Sequence, residues 1–201
     1  GRRRFNRTKT IMKKDKLTDY ILHLKNWISK DITKQTLKEI SEKEWSPHYH
    51  INNVTLKPII KENELTCLES DDSLTYQKKL HDLLWKALET YILKEHKTEY
   101  HGGWEAFSKI RFNRYQDNQV MSKHCDHIKF LFDGERKGIP VLSIIGLLND
   151  DYKGGELIMF NDYEIKLKEG DVLLFPSSFL YPHLVKPITK GIRYSLVSWS
   201  W

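Results

Sequence analysis

Turn-forming residues recur at short intervals through the second half of the chain, and they constrain the fold more than any other feature. Asp133-Gly134, Asn149-Asp150-Asp151, Gly154-Gly155, Asn161-Asp162, Glu169-Gly170-Asp171 and Lys190-Gly191 divide stretches rich in β-branched and aromatic residues. Gly, Asn and Asp reach the backbone conformations that tight turns need, so each cluster punctuates the chain. The intervening segments predict strands near 107–115, 119–126, 139–149, 154–160, 163–168, 171–176, 182–188 and 191–200. Short strands in such succession build a sandwich or barrel.

The first half has a different texture, Lys- and Glu-rich with helical spacing over residues 12–100. Tyr20 to Trp27 predicts a strand. Ser29 or Asp31 caps a helix over 31–43, with Ile32, Thr36, Leu37 and Ile40 on one face. Pro47 and Asn52-Asn53 make the stretch from Trp45 to Pro58 loop-like. Asp72 or Ser73 starts a long helix reaching Lys97, where Leu80, Leu83, Leu84, Ala87, Leu88 and Tyr91 form an apolar stripe for packing on a sheet. Helices first and strands after give an α+β fold with a β-sandwich or jelly-roll core, the helices buttressing one outer face. Residues 12–201 read as a single domain, with helical support over 12–106 and the β core over 107–201. Residues 1–11, with Arg2, Arg3, Arg4 and Arg7, read as a basic tail outside the fold.

Composition removes several classes. The 6 Trp, 10 Tyr and 8 Phe exclude a disordered chain. The 2 cysteines, Cys67 and Cys125, exclude a disulfide scaffold and point to a reducing, cytoplasmic setting. No apolar run reaches the roughly 18 residues a membrane-spanning helix needs. The net charge of +6 leaves a nucleic-acid-binding sandwich as a competing expectation, with binding that weakens steeply in salt.

His124-Cys125-Asp126 carries the chemistry. In a strand, His124 and Asp126 share one face and Cys125 takes the other. An imidazole beside a carboxylate is two-thirds of a facial 2-His-1-carboxylate set, which leaves positions open on Fe(II). Roughly one such spacing is expected by chance at this composition, so the pair needs company. His183, opening a second apolar strand behind Val172-Leu173-Leu174-Phe175-Pro176, supplies a third ligand if the two sheets face each other. Arg193 follows among apolar neighbours, and a guanidinium buried there needs an anion.

At this point the sequence resembles the 2-oxoglutarate- and Fe(II)-dependent dioxygenases of the prolyl 4-hydroxylase type, in their bacterial and phage forms. Arg114-Tyr115, Leu148-Asn149, Gly154-Gly155-Glu156-Leu157, Gly170-Asp171-Val172-Leu173-Leu174-Phe175, Pro176-Ser177-Ser178 and the run from Val185 to Arg193 carry the resemblance. It implies a double-stranded β-helix, the jelly-roll, with His124, Asp126 and His183 as iron ligands. It implies that Arg193 binds the far carboxylate of 2-oxoglutarate, with Tyr115 and Ser195 lining the same pocket. Fe(II), 2-oxoglutarate and O2 are the implied reactants, with ascorbate a further candidate. The implied reaction hydroxylates an unactivated C–H, releasing succinate and CO2, on a peptidyl proline or another protein side chain. A free amino acid or small metabolite is the alternative substrate. Asp126 favours hydroxylation, because halogenating relatives lack that carboxylate. The single arginine after His183 is less like the nucleic-acid demethylase branch. Leu147 and Met121 depart from tyrosines that relatives carry, and both bear on the substrate pocket.

Other residues are weaker candidates. Arg111 and Asn113 share strand parity with Tyr115 and are candidates to face substrate; Trp199, expected as a core or edge residue, shares parity with Arg193 and is a candidate to line the pocket. His48-Tyr49-His50 is expected as a substrate-contacting or ordinary loop, with a second metal pair as the alternative. His101-Gly102-Gly103-Trp104 is expected as a turn, with a lid over the site as the alternative, and Cys125 is expected as a small buried hydrophobe.

Overall fold

The computed structural model describes residues 15–52, 54–55, 57–95, 104–127 and 139–201. A 3-10 turn, Leu17–Tyr20, leads into β1, Leu22–Leu24, and then α1, Lys30–Ser41. Four short strands follow: β2, Ser46–Pro47; β3, His50–Ile51; β4, Pro58–Ile59; and β5, Thr66–Glu69. Helix α2, Gln77–Glu89, widens into a π-helical end at Thr90–Glu95. The remaining strands are β6, Arg111–Tyr115; β7, Met121–His124; β8, Leu142–Leu147; β9, Lys153–Gly154; and β10, Leu157–Met159. They continue with β11, Tyr163–Ile165; β12, Val172–Pro176; β13, His183–Val185; β14, Ile188–Lys190; and β15, Arg193–Ser200.

These strands form a seven-stranded sheet in the order β1-β12-β8-β15-β6-β5-β2 and a four-stranded sheet in the order β11-β10-β13-β7. Every pairing in both is antiparallel. Side-chain alternation assigns the large sheet two different neighbours. Val172, Leu174, Ile144, Phe112 and Leu196 pack with Ile32 and Ile40 of α1 and Leu80, Leu84 and Leu88 of α2. Leu173, Phe175, Ile145, Val197 and Trp199 face Leu157, Met159 and Val185 of the small sheet. The helices therefore cover one face of the large sheet and the small sheet covers the other.

The expected elements are mostly present but shorter. The strand at 20–27 contracts to three residues because Asn26 turns the chain with a positive φ of 51°. The second helix begins at Gln77, after a turn in which the Asp71 carboxylate accepts hydrogen bonds from Ser73. The stretch read as loop holds β2 and the β3–β4 ladder, and β5 is an unanticipated strand between β6 and the edge strand β2. The 1–11 tail, the Asp133-Gly134 turn and His101 to Gly103 lie outside the described residues.

The glycine-bearing turns have physical causes. Gly154 has φ +77°, and a Cβ there would stand 2.2 Å from the Pro187 carbonyl oxygen. That close approach is what lets β9 pair with β14. After Gly170, the Asp171 carboxylate accepts hydrogen bonds from the backbone N–H groups of Asn26 and Lys168 and contacts His23 Nε2 at 2.8 Å. One side chain thus ties β1 and the turn after it to the turn ahead of β12.

Candidate metal centre

Strands β7 and β13 are neighbours in the small sheet, with His124 directly opposite His183. Their rings lie 4.3 Å apart between centroids. Asp126 sits just beyond the end of β7, where its carboxylate reaches both rings: Oδ1 is 3.2 Å from His124 Nε2 and Oδ2 is 3.8 Å from His183 Nε2. The expectation that Asp126 stays within the strand is therefore off by two residues, yet the side chain meets the same partners.

Both rings are held in one tautomer by the backbone. His124 Nδ1 contacts the Ser122 carbonyl at 2.8 Å, and His183 Nδ1 contacts the Tyr181 carbonyl at 3.1 Å. A carbonyl only accepts, so each Nδ1 carries the proton and each Nε2 lone pair faces the carboxylate. Lone pairs and a carboxylate converging in a buried space call for a cation. Two neutral imidazoles and one carboxylate on one side suit Fe(II), with the remaining positions free for other ligands. Phe175 packs edge-on against His183 at 5.1 Å and fixes that ring further.

The electrostatics agree. Burial alone would raise the Asp126 carboxyl, but the His183 and His124 rings, with Ser143, hold it well below the usual carboxylate range. Burial pushes His183 below its ordinary value, leaving it neutral. Burial also disfavours the charged form of His124, but the contact with Asp126 outweighs it and raises that ring. Ser143 was not legible as part of the site; its only signal is a lone hydroxyl in an otherwise apolar strand.

Arg193 opens β15, opposite Tyr115 of β6, and is only 2% exposed. Its Nη1 donates to Ser195 Oγ at 3.0 Å and its guanidinium lies 4.9 Å from the Tyr115 ring centre. Its Nε has no hydrogen-bond partner, and no carboxylate among the described residues pairs with it. A single cavity is lined by His124, Asp126, His183, Arg193, Tyr115 and Ser195. Arg111, Asn113 and Trp199 join that lining as their parity implies, and so does Met121. Cys125 departs from expectation: it is only partly buried, with Sγ 3.3 Å from the Phe179 carbonyl oxygen. Trp104 packs on Trp85 at 5.4 Å, away from this cavity.

Comparison with known proteins agrees with this geometry. A model of the 2OG-Fe(II) oxygenase superfamily matches residues 110–201. A PKHD-type hydroxylase of Acinetobacter baumannii (strain SDF) is 31% identical over 185 residues, covering 89% of this chain and 77% of that protein. A PKHD-type hydroxylase of Xylella fastidiosa (strain M12) is 36% identical over 99 residues, so the match spans 44% of this chain and 42% of that relative's length. Among solved structures, a Trichoplax adhaerens prolyl hydroxylase in complex with a hypoxia inducible factor oxygen degradation domain peptide fragment superposes with a TM-score of 0.69 at 16% identity, covering 92% of this chain and 84% of that one. A Pseudomonas putida prolyl-4-hydroxylase gives 0.64 at 18% identity, covering 90% and 91%. The likeness in fold reaches nearly the whole chain, and the family match falls on the strands bearing His124, His183 and Arg193: the chain belongs to the 2OG-Fe(II) oxygenase superfamily.

Proposed function

We propose that this chain is an Fe(II)- and 2-oxoglutarate-dependent hydroxylase acting on a protein side chain, with a peptidyl proline as the first candidate. The buried, acid-free guanidinium of Arg193 in the same cavity as the triad is the observation that carries this reading. In it, His124 Nε2, the Asp126 carboxylate and His183 Nε2 hold the iron. Bound there, Fe(II) supplies O2 activation coupled to oxidative decarboxylation of 2-oxoglutarate to succinate and CO2.

The protein's own side chains do the rest. Arg193 binds the distal carboxylate of 2-oxoglutarate, with the Ser195 hydroxyl beside it and the Tyr115 ring against the guanidinium. Met121, Leu157, Val185 and Val197 wall the cavity with apolar surface, which excludes water and strengthens the charge–charge contact inside. Carboxylates are held best by a guanidinium fork, so the site favours a diacid over a monoacid. We read the facing sheets as a double-stranded β-helix within one domain over residues 12–201, working in the cytoplasm. Among the described residues no helix is long and apolar enough to cross a membrane. The prolyl hydroxylases that share the fold motivate the peptide substrate.

Asp126→Ala is expected to abolish Fe(II)-dependent conversion of 2-oxoglutarate to succinate. Turnover at the parent rate in that variant overturns the ligand assignment. Mass spectrometry for the gain of one oxygen atom, across proline-bearing peptides and free amino acids, identifies the substrate class.

A further inference from the structure

Three more metal-ligating side chains meet outside that cavity. His48 and His50 alternate with Tyr49 along an extended segment, so they leave the same face of the chain. Their rings stand edge to face, 4.7 Å apart. Glu64 arrives from just ahead of β5, where its backbone bridges to Val120. Its Oε2 lies 3.9 Å from His48 Nδ1 and its Oε1 lies 3.5 Å from His50 Nε2. One donor atom from each of the three falls within 4.8 Å of the others.

Two of the three side chains are buried, His50 is 24% exposed, and three polar atoms of the cluster are unsatisfied. His48 is 8% exposed and Glu64 6%. His48 Nδ1, His50 Nε2 and Glu64 Oε2 are all buried without a hydrogen-bond partner. Buried polar atoms are nearly always paired, and three orphans aimed at one another need a common partner. No lysine or arginine among the described residues forms an ion pair with Glu64; its ion-pair contacts are these two imidazoles. A cation is a partner that two imidazole nitrogens and a carboxylate oxygen can share. A tetrahedral Zn(II) with bonds of about 2.0–2.1 Å sets its ligands about 3.4 Å apart. The three donor atoms lie within 4.8 Å of one another, so binding draws them together around the ion.

We propose that His48, His50 and Glu64 form a second divalent-metal site, suited to Zn(II) and similar borderline ions. Two imidazoles and one carboxylate favour that class over Ca(II) or Mg(II), which take oxygen ligands. The site has a structural consequence. Glu64 Oε1 accepts hydrogen bonds from the Ser122 backbone N–H, at 3.2 Å, and from its hydroxyl. The Ser122 carbonyl in turn accepts from His124 Nδ1. An ion on Glu64 thus ties the 46–65 segment to the strand that carries a ligand of the first centre.

Counting metal in full-length protein tests this. Chelator-stripped protein is loaded with Zn(II), dialysed and assayed by mass spectrometry of the metal. The parent chain is expected to hold two equivalents, and Glu64→Gln one. Asp126→Ala/His183→Ala, which dismantles the first centre, is expected to hold one, and adding His48→Ala to it none. The Zn(II)-dependent rise in melting temperature of Asp126→Ala/His183→Ala should vanish with His48→Ala. A parent chain holding one equivalent, or a count that Glu64→Gln leaves at two, overturns the proposal. The Glu64→Gln comparison preserves side-chain volume, so it decides the matter even if the multiple variants do not fold.

Discussion

Arg193 is the side chain whose environment makes least sense without a ligand. A guanidinium taken out of water is costly unless a carboxylate meets it, and among the described residues the Ser195 hydroxyl and the Tyr115 face meet this one instead. Arg193→Leu should therefore leave folding stability unchanged or raise it, while removing the stabilisation by 2-oxoglutarate. Thermal shift in Mn(II), with and without 2-oxoglutarate, reads both effects; Arg193→Lys should retain part of the gain because the charge survives without the fork. The metal ligands carry a pH dependence of definite sign. His124 is raised above its ordinary value by Asp126, although burial opposes this. Below that raised value the ring holds a proton on the lone pair that would bind metal, so Mn(II) affinity should fall as pH drops from 8 to 6. Calorimetric titration at both pH values measures it, and equal affinities would contradict the assignment of Nε2 as donor.

The elements around the site are held by a few polar anchors. Asp171 receives two backbone N–H groups and contacts His23, so Asp171→Ala should cost about 1–3 kcal/mol, read by urea unfolding. Burial favours its neutral form, but those hydrogen bonds win and hold the carboxyl below its ordinary value. A depressed carboxyl contributes stability above its unfolded value and loses it as pH falls through the native one. The difference between Asp171→Ala and the parent should accordingly shrink in acid. Gly154→Ala should open the β9–β14 ladder, because its Cβ would collide with the Pro187 carbonyl. Elements of this size also explain what sequence reading missed. Ser46–Pro47, His50–Ile51 and Thr66–Glu69 are too short to show a period, and their pairing comes from distant strands.

Across the whole molecule, the large sheet separates stability from chemistry. Its helix-facing side buries Leu84, while its other side carries Arg193 and Ser195 toward the cavity. Leu84→Ala should cost about 2–5 kcal/mol in urea unfolding and leave the 2-oxoglutarate-dependent thermal shift intact. A matching loss of that shift would mean the two faces are coupled through the sheet. The layering also explains why the first half of the chain contributes so little to the first centre: α1 and α2 lie on the far side of the sheet from it.

Turn chemistry and side-chain alternation are local, and they are enough to mark most strands of the second half, the nearness of His124 to Asp126, and an arginine that wants an anion. The periodicity of the second helix likewise named its buried residues, Leu80, Leu84, Ala87 and Leu88. What periodicity does not encode is which strands become neighbours across the sheets. The meeting of His124 with His183, the carboxylate of Asp126 reaching back from beyond its strand, and Glu64 closing on His48 and His50 all depend on long-range antiparallel pairing. Those contacts are set by burial of the two apolar layers, a property of the assembled chain and of no single segment.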